Sequence, residues 1–310
     1  MARNMKGKSL ISINDLSLEE IWQIFELSAS LKLKLQSNEQ HTLLRGKTLG
    51  MIFAKPSTRT RVSFEVGTYQ LGGTALYLGP NDLQLNREET IEDTAKVLSR
   101  YLDGILIRTF AHQDAIDFAR FGSIPVINGL TDNEHPCQIL CDLFTIYEKK
   151  RKLQGLKLAY VGDGNNVCHS LLHGCSKVGM DIYVAAPKKY GPSSTIVEQA
   201  VNSAKYFGSK VVITEDKFEA VKDADVVYTD AWTSMGWETE REIRNKELAP
   251  YQVNTELVKA AKDDYFFMHC LPAHRGEEVV NEVADSPNSI IYDEAENRLH
   301  VQKGIMALLM

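Results

Sequence analysis

No run of about 18 consecutive apolar residues, the length that crosses a bilayer as a helix, occurs in the 310-residue sequence. The first residues, MARNMKGKSLISIND, also lack the apolar core of a secretory signal peptide. An excess of basic residues is missing as well, since the formal net charge is −6 at pH 7 and no long basic stripe is available for phosphates. The sequence therefore predicts a cytoplasmic protein that binds neither membranes nor nucleic acids.

A disulfide framework and a zinc-ligand pattern are also missing. The cysteines are odd in number, and their spacings fit no zinc motif. They are Cys137, Cys141, Cys168, Cys175 and Cys270. Reduced thiols in a cytosolic protein are the simplest interpretation. No internal repeat or low-complexity segment is present.

Alternating strand-like and helix-like segments fill most of the chain. They begin at Thr48–Phe53 and restart at Leu156–Val161, after the polar stretch Glu148–Gly155. Strands that alternate with helices imply right-handed crossovers and parallel sheets. The length is enough for two domains. We therefore predict an α/β fold with two doubly wound domains, each a central parallel sheet flanked by helices. The predicted bounds are 1–150 and 151–293, with a C-terminal helix at 294–310 packing back on the first domain.

The first polar segment, Ser57–Arg61, directly follows the first predicted strand and opens a helix. Free backbone N–H groups and the helix dipole at such a position favour an anion. Arginine adds permanently charged, bidentate hydrogen bonds to a phosphate. The segment predicts a phosphate site, and the alternative is an ordinary helix cap with solvated arginines.

Two further segments of the first half place polar groups at strand ends. Arg108 follows the strand GILI, and His135 precedes Pro136 and Gln138 after the strand PVI and a short loop. An arginine and a histidine aimed at one carbonyl oxygen would stabilise negative charge that develops on it. Taken alone, His135 is more often a plain helix-terminus residue.

In the second half, Gly162–Val167 resembles a dinucleotide-binding fingerprint but has Val167 where the third glycine belongs. Asp230 follows the strand DVVYT, where a carboxylate can hold an ammonium group, and Gly236 with its polar neighbours predicts a mobile loop. Cys270 lies among basic residues after the strand YFFM. It is either a reactive thiolate or a small buried apolar group.

Taken together, these segments resemble the aspartate and ornithine carbamoyltransferase family over essentially the whole chain. Ser57–Glu65 (STRTRVSFE) is similar to the family's carbamoyl phosphate signature. Within the family, Asp230 with Ser234–Gly236, and His269–Pro272 (HCLP), resemble the ornithine enzymes. Trp237 is a departure, since glutamine or glutamate is more usual there, and it bears on closure of the loop.

The resemblance implies transfer of a carbamoyl group from carbamoyl phosphate to the side-chain amine of ornithine, without a metal or organic cofactor. It implies a homotrimer with sites shared between subunits, in which Gln84 binds carbamoyl phosphate in trans. The domain 1–150 would bind carbamoyl phosphate, and 151–293 would bind ornithine. The expected carbamoyl phosphate residues are Ser57, Thr58, Arg59, Thr60, Gln84, Arg108, His135, Gln138, Cys270, Leu271 and Arg298. The expected ornithine residues are Asn166, Asp230, Ser234 and Met235. The expected catalytic residues are Arg108, His135, Asp230 and Cys270, with the acceptor of the amine proton left open between Cys270, Asp230 and the leaving phosphate.

Three alternatives remain at this point. A sister carbamoyltransferase would act on putrescine or on an acylated ornithine. An oxidoreductase would use the Gly162–Val167 turn for a nicotinamide cofactor, which the missing third glycine disfavours. A non-catalytic amino-acid-binding protein could use the same fold, because a fold does not determine a function.

Overall fold

A computed structural model describes residues 3–83, 89–233 and 236–310 of the chain. The chain forms two compact units: unit 1 comprises Met1–Cys141 and Glu296–Met310, and unit 2 comprises Asp142–Ala295. The division falls inside two helices, and the domain boundary at 150/151 stays a prediction. In the described ranges, no helix combines the length and apolarity needed to cross a membrane.

The strands and helices alternate along the chain. The strands are β1 (Thr48–Phe53), β2 (Thr74–Leu78), β3 (Gly104–Arg108), β4 (Val126–Leu130), β5 (Lys157–Val161), β6 (Asp181–Ala185), β7 (Val211–Thr214), β8 (Val226–Tyr228) and β9 (Phe266–Met268). The helices are α1 (Leu18–Gln36), α2 (Thr58–Gln70), α3 (Ile91–Leu98), α4 (His112–Phe121), α5 (Pro136–Lys150), α6 (Asn166–Lys177), α7 (Ser194–Phe207), α8 (Lys217–Val221), α9 (Arg241–Leu248), α10 (Thr255–Val258), α11 (Asn281–Ala284) and α12 (Ile291–Leu309).

Each unit contains a parallel sheet, which confirms the predicted fold class. The order in unit 1 is β2-β1-β3-β4, and in unit 2 it is β7-β6-β5-β8-β9. Both orders reverse at one place, between β1 and β3 and between β5 and β8 respectively. Ligands of such sheets bind beyond the carboxyl ends of the strands at that switch point. The topology therefore points to the segments that follow β1, β3, β5 and β8.

Apolar side chains of the strands form a core in each unit. In unit 1, Ile52 and Ile107 pack with Phe118 of α4, and in unit 2, Val161 and Val227 pack with neighbouring apolar residues. Buried strands of parallel sheets are near-continuous apolar runs, as both sheets show here. These cores leave the polar residues at the strand ends as the groups that face ligands.

Local signals set several helix starts. Ser17 caps α1 in a capping box with Glu20, and Thr90 caps α3, as the sequence predicts. Pro136 is the first residue of α5, where the missing N–H does no harm. The predicted strand PVI is displaced: β4 begins at Val126, immediately after Pro125. Proline cannot donate a ladder hydrogen bond, so the regular pairing starts after it.

Candidate active site

The start of α2 forms an anion-binding corner in unit 1. Ser57 is the N-cap of α2 with an extended backbone, and its hydroxyl accepts a hydrogen bond from the Thr60 N–H at 3.3 Å. Thr58, the first helical residue, is exposed. Thr60 is fully buried, and its hydroxyl accepts a 2.8 Å hydrogen bond from Nη2 of Arg298 on α12. A helix N-terminus and a guanidinium thus meet at one point, which suits a phosphate.

His135, immediately before α5, lies in the field of three arginines. Burial lowers the pKa of His135 well below its usual value, and the positive charges of Arg298, Arg108 and Arg59 lower it further. The imidazole is therefore neutral at pH 7 and can donate one N–H to a substrate oxygen. The same set of interactions shows that the predicted residues Arg59, Arg108 and His135 lie together.

Arg108 and Gln138 complete this group of unit 1. Arg108 is the last residue of β3 and is only 7% exposed, while Gln138, in the first turn of α5, is fully buried. The backbone N–H of Gln138 donates to the His135 carbonyl at 3.1 Å, which ties the two residues to the same turn. The polar side chains predicted for the carbamoyl group thus come from adjacent strand ends.

Lys55 is a residue that the sequence interpretation missed. It follows β1, its side chain is 4% exposed, and its ammonium pairs with Asp132 and lies 4.2 Å above the ring centroid of Phe110. A lysine between a buried strand and Pro56, just before Ser57, could have been recognised as a further cation beside the phosphate segment. Its burial adds positive potential at the switch point of unit 1.

In unit 2, Asp230 and Cys270 are in direct contact. The Cys270 thiol donates to Oδ1 of Asp230 at 3.0 Å. Burial raises the pKa of Cys270 well above that of a free cysteine, and the Asp230 carboxylate raises it further. Of the two interpretations of Cys270, these contacts disfavour the reactive thiolate, because the group in contact with the thiol is a carboxylate. The group keeps its proton and acts as a hydrogen-bond donor.

Asn165, rather than Asn166 alone, connects the Gly162 turn to Asp230. Its Nδ2 donates to Oδ2 of Asp230 at 2.7 Å, and its Oδ1 accepts from the backbone N–H groups of Val167 and Cys168. Asn166 is in the first turn of α6 and is 8% exposed. The sequence interpretation missed Asn165, although asparagine just before a predicted helix is a frequent N-cap.

The capping by Asn165 also bears on the dinucleotide alternative. A dinucleotide-binding turn offers the backbone N–H groups at the helix start to a pyrophosphate. Here those of Val167 and Cys168 already donate to a side chain of the protein itself. The turn therefore serves to orient Asp230, and the structure does not favour a nicotinamide cofactor at this place.

Buried carboxyl groups lie next to the start of the His269–Pro272 segment. The His269 N–H donates to Oε2 of Glu294 at 3.0 Å, and Tyr228 contacts both Glu294 and Asp142. Burial raises the pKa of Glu294 well above its usual value, and the Asp142 carboxylate raises it further. Leu271 has a φ of 60°, in the left-handed region that costs a non-glycine residue about 1–2 kcal/mol. The surrounding hydrogen bonds hold Cys270 in place.

Two groups of potential metal ligands occur among the described residues. In each, the ligand atoms lie within 4.8 Å of one another: Asp230, His269 and Cys270 form one, and His274, Glu277 and Glu278 form the other. In the first group, Nδ1 of His269 accepts from the Leu271 N–H and Nε2 faces Glu278. Both ring nitrogens are thus engaged, and the Cys270 thiol donates to Asp230, so the polar atoms of this group satisfy one another within the protein.

Three predicted site residues, Gln84, Ser234 and Met235, lie outside the described residues. The roles expected for them stay predictions. Gly236, beside the last two, has a φ of 97°, a conformation that favours glycine.

Two family models match the chain almost end to end. The model of the aspartate/ornithine carbamoyltransferase carbamoyl-P binding domain matches residues 8–148, and that of the Asp/Orn binding domain matches residues 154–309. The chain belongs to the aspartate/ornithine carbamoyltransferase family. In this carbamoyltransferase family member, the segments after β1 and β3 lie in the first matched domain. The segments after β5 and β8 lie in the second.

Individual relatives are similar over the same length. The ornithine carbamoyltransferase of Pyrococcus horikoshii is 56% identical over 310 residues, which are 100% of this chain and 98% of that protein. The ornithine carbamoyltransferase of Anoxybacillus flavithermus is 56% identical over 306 residues, covering 99% of this chain and 98% of that protein. The solved structure of the Pyrococcus furiosus ornithine carbamoyltransferase has a TM-score of 0.97 at 54% identity, covering 99% of this chain and 98% of that one.

Proposed function

We propose that the protein transfers the carbamoyl group of carbamoyl phosphate to the side-chain amine of L-ornithine, giving L-citrulline and phosphate. The observation that carries the proposal is the convergence of Arg59, Arg108 and Arg298 on the neutral imidazole of His135. Such a group suits a substrate with both a phosphate and a carbonyl oxygen. The full-length identity of 56% to ornithine carbamoyltransferases supports the acceptor.

In this proposal unit 1 binds carbamoyl phosphate. The N-terminus of α2, capped by Ser57, and the Arg59 guanidinium hold the phosphate. Arg108, His135 and Thr60 donate to the carbonyl oxygen, whose negative charge grows as the tetrahedral intermediate forms. Because His135 carries no charge of its own, it adds a directed N–H without opposing the neighbouring arginines.

Unit 2 supplies the groups for the amino acid. The Asp230 carboxylate, oriented by Asn165 and Cys270, pairs with the ammonium of the amino-acid end. The neutral side-chain amine forms the new C–N bond, the C–O bond to phosphate breaks, and the amine proton leaves with the phosphate. In this proposal the proton goes to the phosphate rather than to Cys270, because the Cys270 thiol donates to Asp230. The predicted participation of Ser234 and Met235 is unchanged.

A substrate panel tests the acceptor. Carbamoyl phosphate is supplied with L-ornithine, putrescine, aspartate or N-acetylornithine, and ureido products are identified by mass. Citrulline from ornithine, with little product from the others, is the expected result. A faster reaction with putrescine or N-acetylornithine would instead select the sister carbamoyltransferase, and a lack of any product would contradict the proposal altogether.

We also propose that the protein is a homotrimer, as the family resemblance implies. Large apolar side chains remain exposed on unit 1: Val62 (52%), Val66 (38%) and Tyr69 (80%) on α2, Leu76 (45%) on the edge strand β2, and Tyr101 (74%) after α3. Residues 62, 66 and 69 recur at helical spacing, so they share one face of α2. Several large apolar side chains exposed on one helix face are typical of protein–protein contacts.

Light scattering after size exclusion tests the oligomer. We expect the mass of a trimer for the wild type and the mass of a monomer for Tyr69→Asp. An unchanged mass for the variant would show that the subunit contact lies elsewhere.

Mixed trimers of inactive Arg59→Ala and inactive Gln84→Ala subunits would regain activity if Gln84 acts in trans. We also propose that the protein acts in the cytoplasm, a reducing compartment in which its five cysteines persist as thiols.

A further inference from the structure

Arg244 on α9 joins three parts of unit 2 that the chain separates. Its Nη1 donates to Oδ2 of Asp163 at 2.9 Å and to the carbonyl of Trp232 at 3.1 Å. Its Nε donates to Glu240 at 3.2 Å. The side chain is only 12% exposed, so these contacts are largely shielded from water. A single guanidinium thus links the Gly162 turn, the segment after β8 and the start of α9.

Two aromatic rings bracket the same guanidinium. Its carbon lies 4.9 Å from the ring centroid of Tyr190 and 5.4 Å from that of Trp237. Cations at these distances from aromatic faces are attracted to them. Trp237 is the residue that departs from the family pattern, and its side chain remains half-exposed despite this contact. Arg244 therefore contacts a residue on each side of positions 234 and 235.

Asp163 connects Arg244 to the turn that orients Asp230. It is 7% exposed, and burial raises its pKa to about 6 despite the opposing effect of Arg244. Its backbone carbonyl accepts a 2.7 Å hydrogen bond from Tyr160, and two residues later Asn165 donates to Asp230. The position of the Asp230 carboxylate therefore depends on a turn that Arg244 holds from its other side.

Trp232 packs against the same turn. It is 2% exposed, in an apolar cluster with Tyr190 and Leu248. A Cβ atom added to Gly162 would lie 3.4 Å from its Nε1, which shows how closely the indole approaches the turn. Trp232, two residues before position 234, is thus anchored by packing, whereas the ring of Trp237, two residues after position 235, contacts the Arg244 guanidinium.

We propose that Arg244 is a positioning residue that holds the Gly162–Asn166 turn and the residues on both sides of positions 234 and 235, and thereby sets the affinity for the amino-acid substrate. This inference rests on the proposed function, because it assigns that substrate to unit 2. Arg244 does not contact the reacting atoms in this proposal. It acts through Asp163, Asn165 and the backbone of Trp232.

The test uses Arg244→Lys, which keeps the charge but loses the planar fork. Arg241→Lys is the matched control, since Arg241 is on the same helix, is half-exposed and pairs with Glu277. Norvaline, which has the amino-acid end of ornithine but no side-chain amine, is titrated by calorimetry in saturating carbamoyl phosphate. For Arg244→Lys we expect a Kd at least about tenfold higher, which corresponds to ~1.4 kcal/mol. Carbamoyl phosphate affinity should stay unchanged, and the control should resemble the wild type for both ligands.

Amide hydrogen exchange without substrate provides a readout independent of the reaction. Arg244→Lys should exchange faster than the control in peptides that cover residues 162–166 and 230–240, and Trp237→Gln should show a smaller change confined to the second peptide. Equal norvaline affinity in Arg244→Lys and the control, or equal losses for both substrates, would overturn the proposal. Unchanged exchange in both peptides would also overturn it. If the wild type itself formed no citrulline, the proposed function would fail, while the exchange result would still decide whether Arg244 holds the turn.

Discussion

The two switch points have the same topology and opposite electrostatics. In unit 1 the segments after β1 and β3 bring Arg59, Arg108 and Lys55 to one region, and the histidine there is kept neutral by burial and by nearby positive charges. In unit 2 the segments after β8 and β9 bring together a carboxylate, Asp230, and a thiol, Cys270, which that carboxylate keeps protonated. Parallel sheets thus provide the location, and the side chains at the strand ends decide which ligand fits.

The difference also lies in how each site is held. The corner in unit 1 depends on a helix start and on Arg298, which comes from α12, far along the chain. The corner in unit 2 depends on a network within the unit, from Arg244 through Asp163 and Asn165 to Asp230. Under the proposed function, anion binding therefore relies on permanent charges, whereas amino-acid binding relies on the orientation of one carboxylate.

The largest expected effect is on the cationic side. Arg59→Ala should weaken carbamoyl phosphate binding by about 100-fold, because truncating one partner of a buried charge pair costs ~2–5 kcal/mol. Calorimetry with carbamoyl phosphate measures this. Arg61→Ala is the control, since Arg61 is half-exposed and pairs with Glu65 on the helix surface. Similar affinities for the two variants would remove Arg59 from the phosphate site.

The next effect separates the amino-acid side from the phosphate side. Cys270→Ala should raise the KM for ornithine by about tenfold, because the Asp230 carboxylate loses a hydrogen bond worth ~1.5 kcal/mol. Cys270→Ser retains a donor and should recover part of the loss. The KM for carbamoyl phosphate should change little. Equal increases in KM for both substrates would contradict the assignment of ornithine to unit 2 and of carbamoyl phosphate to unit 1.

A buried lysine gives unit 1 a characteristic pH dependence. Lys303 of α12 is fully buried, contacts Gln70 and His41, and burial lowers its pKa to about 8. Since the folded state disfavours the charged form, this residue should make the protein more stable as pH rises from about 8 towards the usual lysine value. Calorimetric Tm values should show this increase in the wild type and a smaller one in Lys303→Met. An identical slope in both proteins would contradict the assignment.

Unit 2 should respond to pH in the opposite direction. Because the pKa of Glu294 is raised in the folded state, its contribution to stability is complete below the usual glutamate pKa and is lost as pH rises through the raised value. Glu294→Gln cannot titrate, yet its amide can still accept from His269 and donate to Asp142. The fall in Tm as pH rises above the usual glutamate pKa should be a few degrees smaller in the variant. An equal fall in Tm in both proteins would show that a group other than Glu294 titrates.

The smallest expected effect concerns the reactivity of Cys270. In the wild type, iodoacetamide should alkylate it slowly at about pH 8.5, because little thiolate is present. Asp230→Asn removes the negative charge that raises the thiol pKa, and the reaction should become severalfold faster. Peptide mass spectrometry follows the modification, with Cys168 as an internal reference. A rate unaffected by the substitution would show that burial alone sets the thiol pKa.

Much of the fold was predictable because its signals are local. The capping box at Ser17, the cap at Thr90 and the proline at position 136 all mark helix starts within a few residues. The helices α8, α10 and α11 were not predicted, since they are too short to show a helical period. Helix α9 was also missed, because Leu248 is its one buried residue and its sequence shows no apolar period. The register in which β4 pairs with β3 could not be predicted, since no window of sequence contains both strands.

The sequence alone determined which chemical groups stand at the ends of the strands, because apolar periodicity and turn residues are encoded within each segment. The tertiary structure decided their protonation and their partners: the neutral His135, the protonated Cys270, and Asn165 as the residue that orients Asp230. The physical reason is that pKa values and hydrogen-bond partners depend on burial and on charges brought close by folding. Those distances do not exist until strands far apart in the chain lie side by side in a sheet.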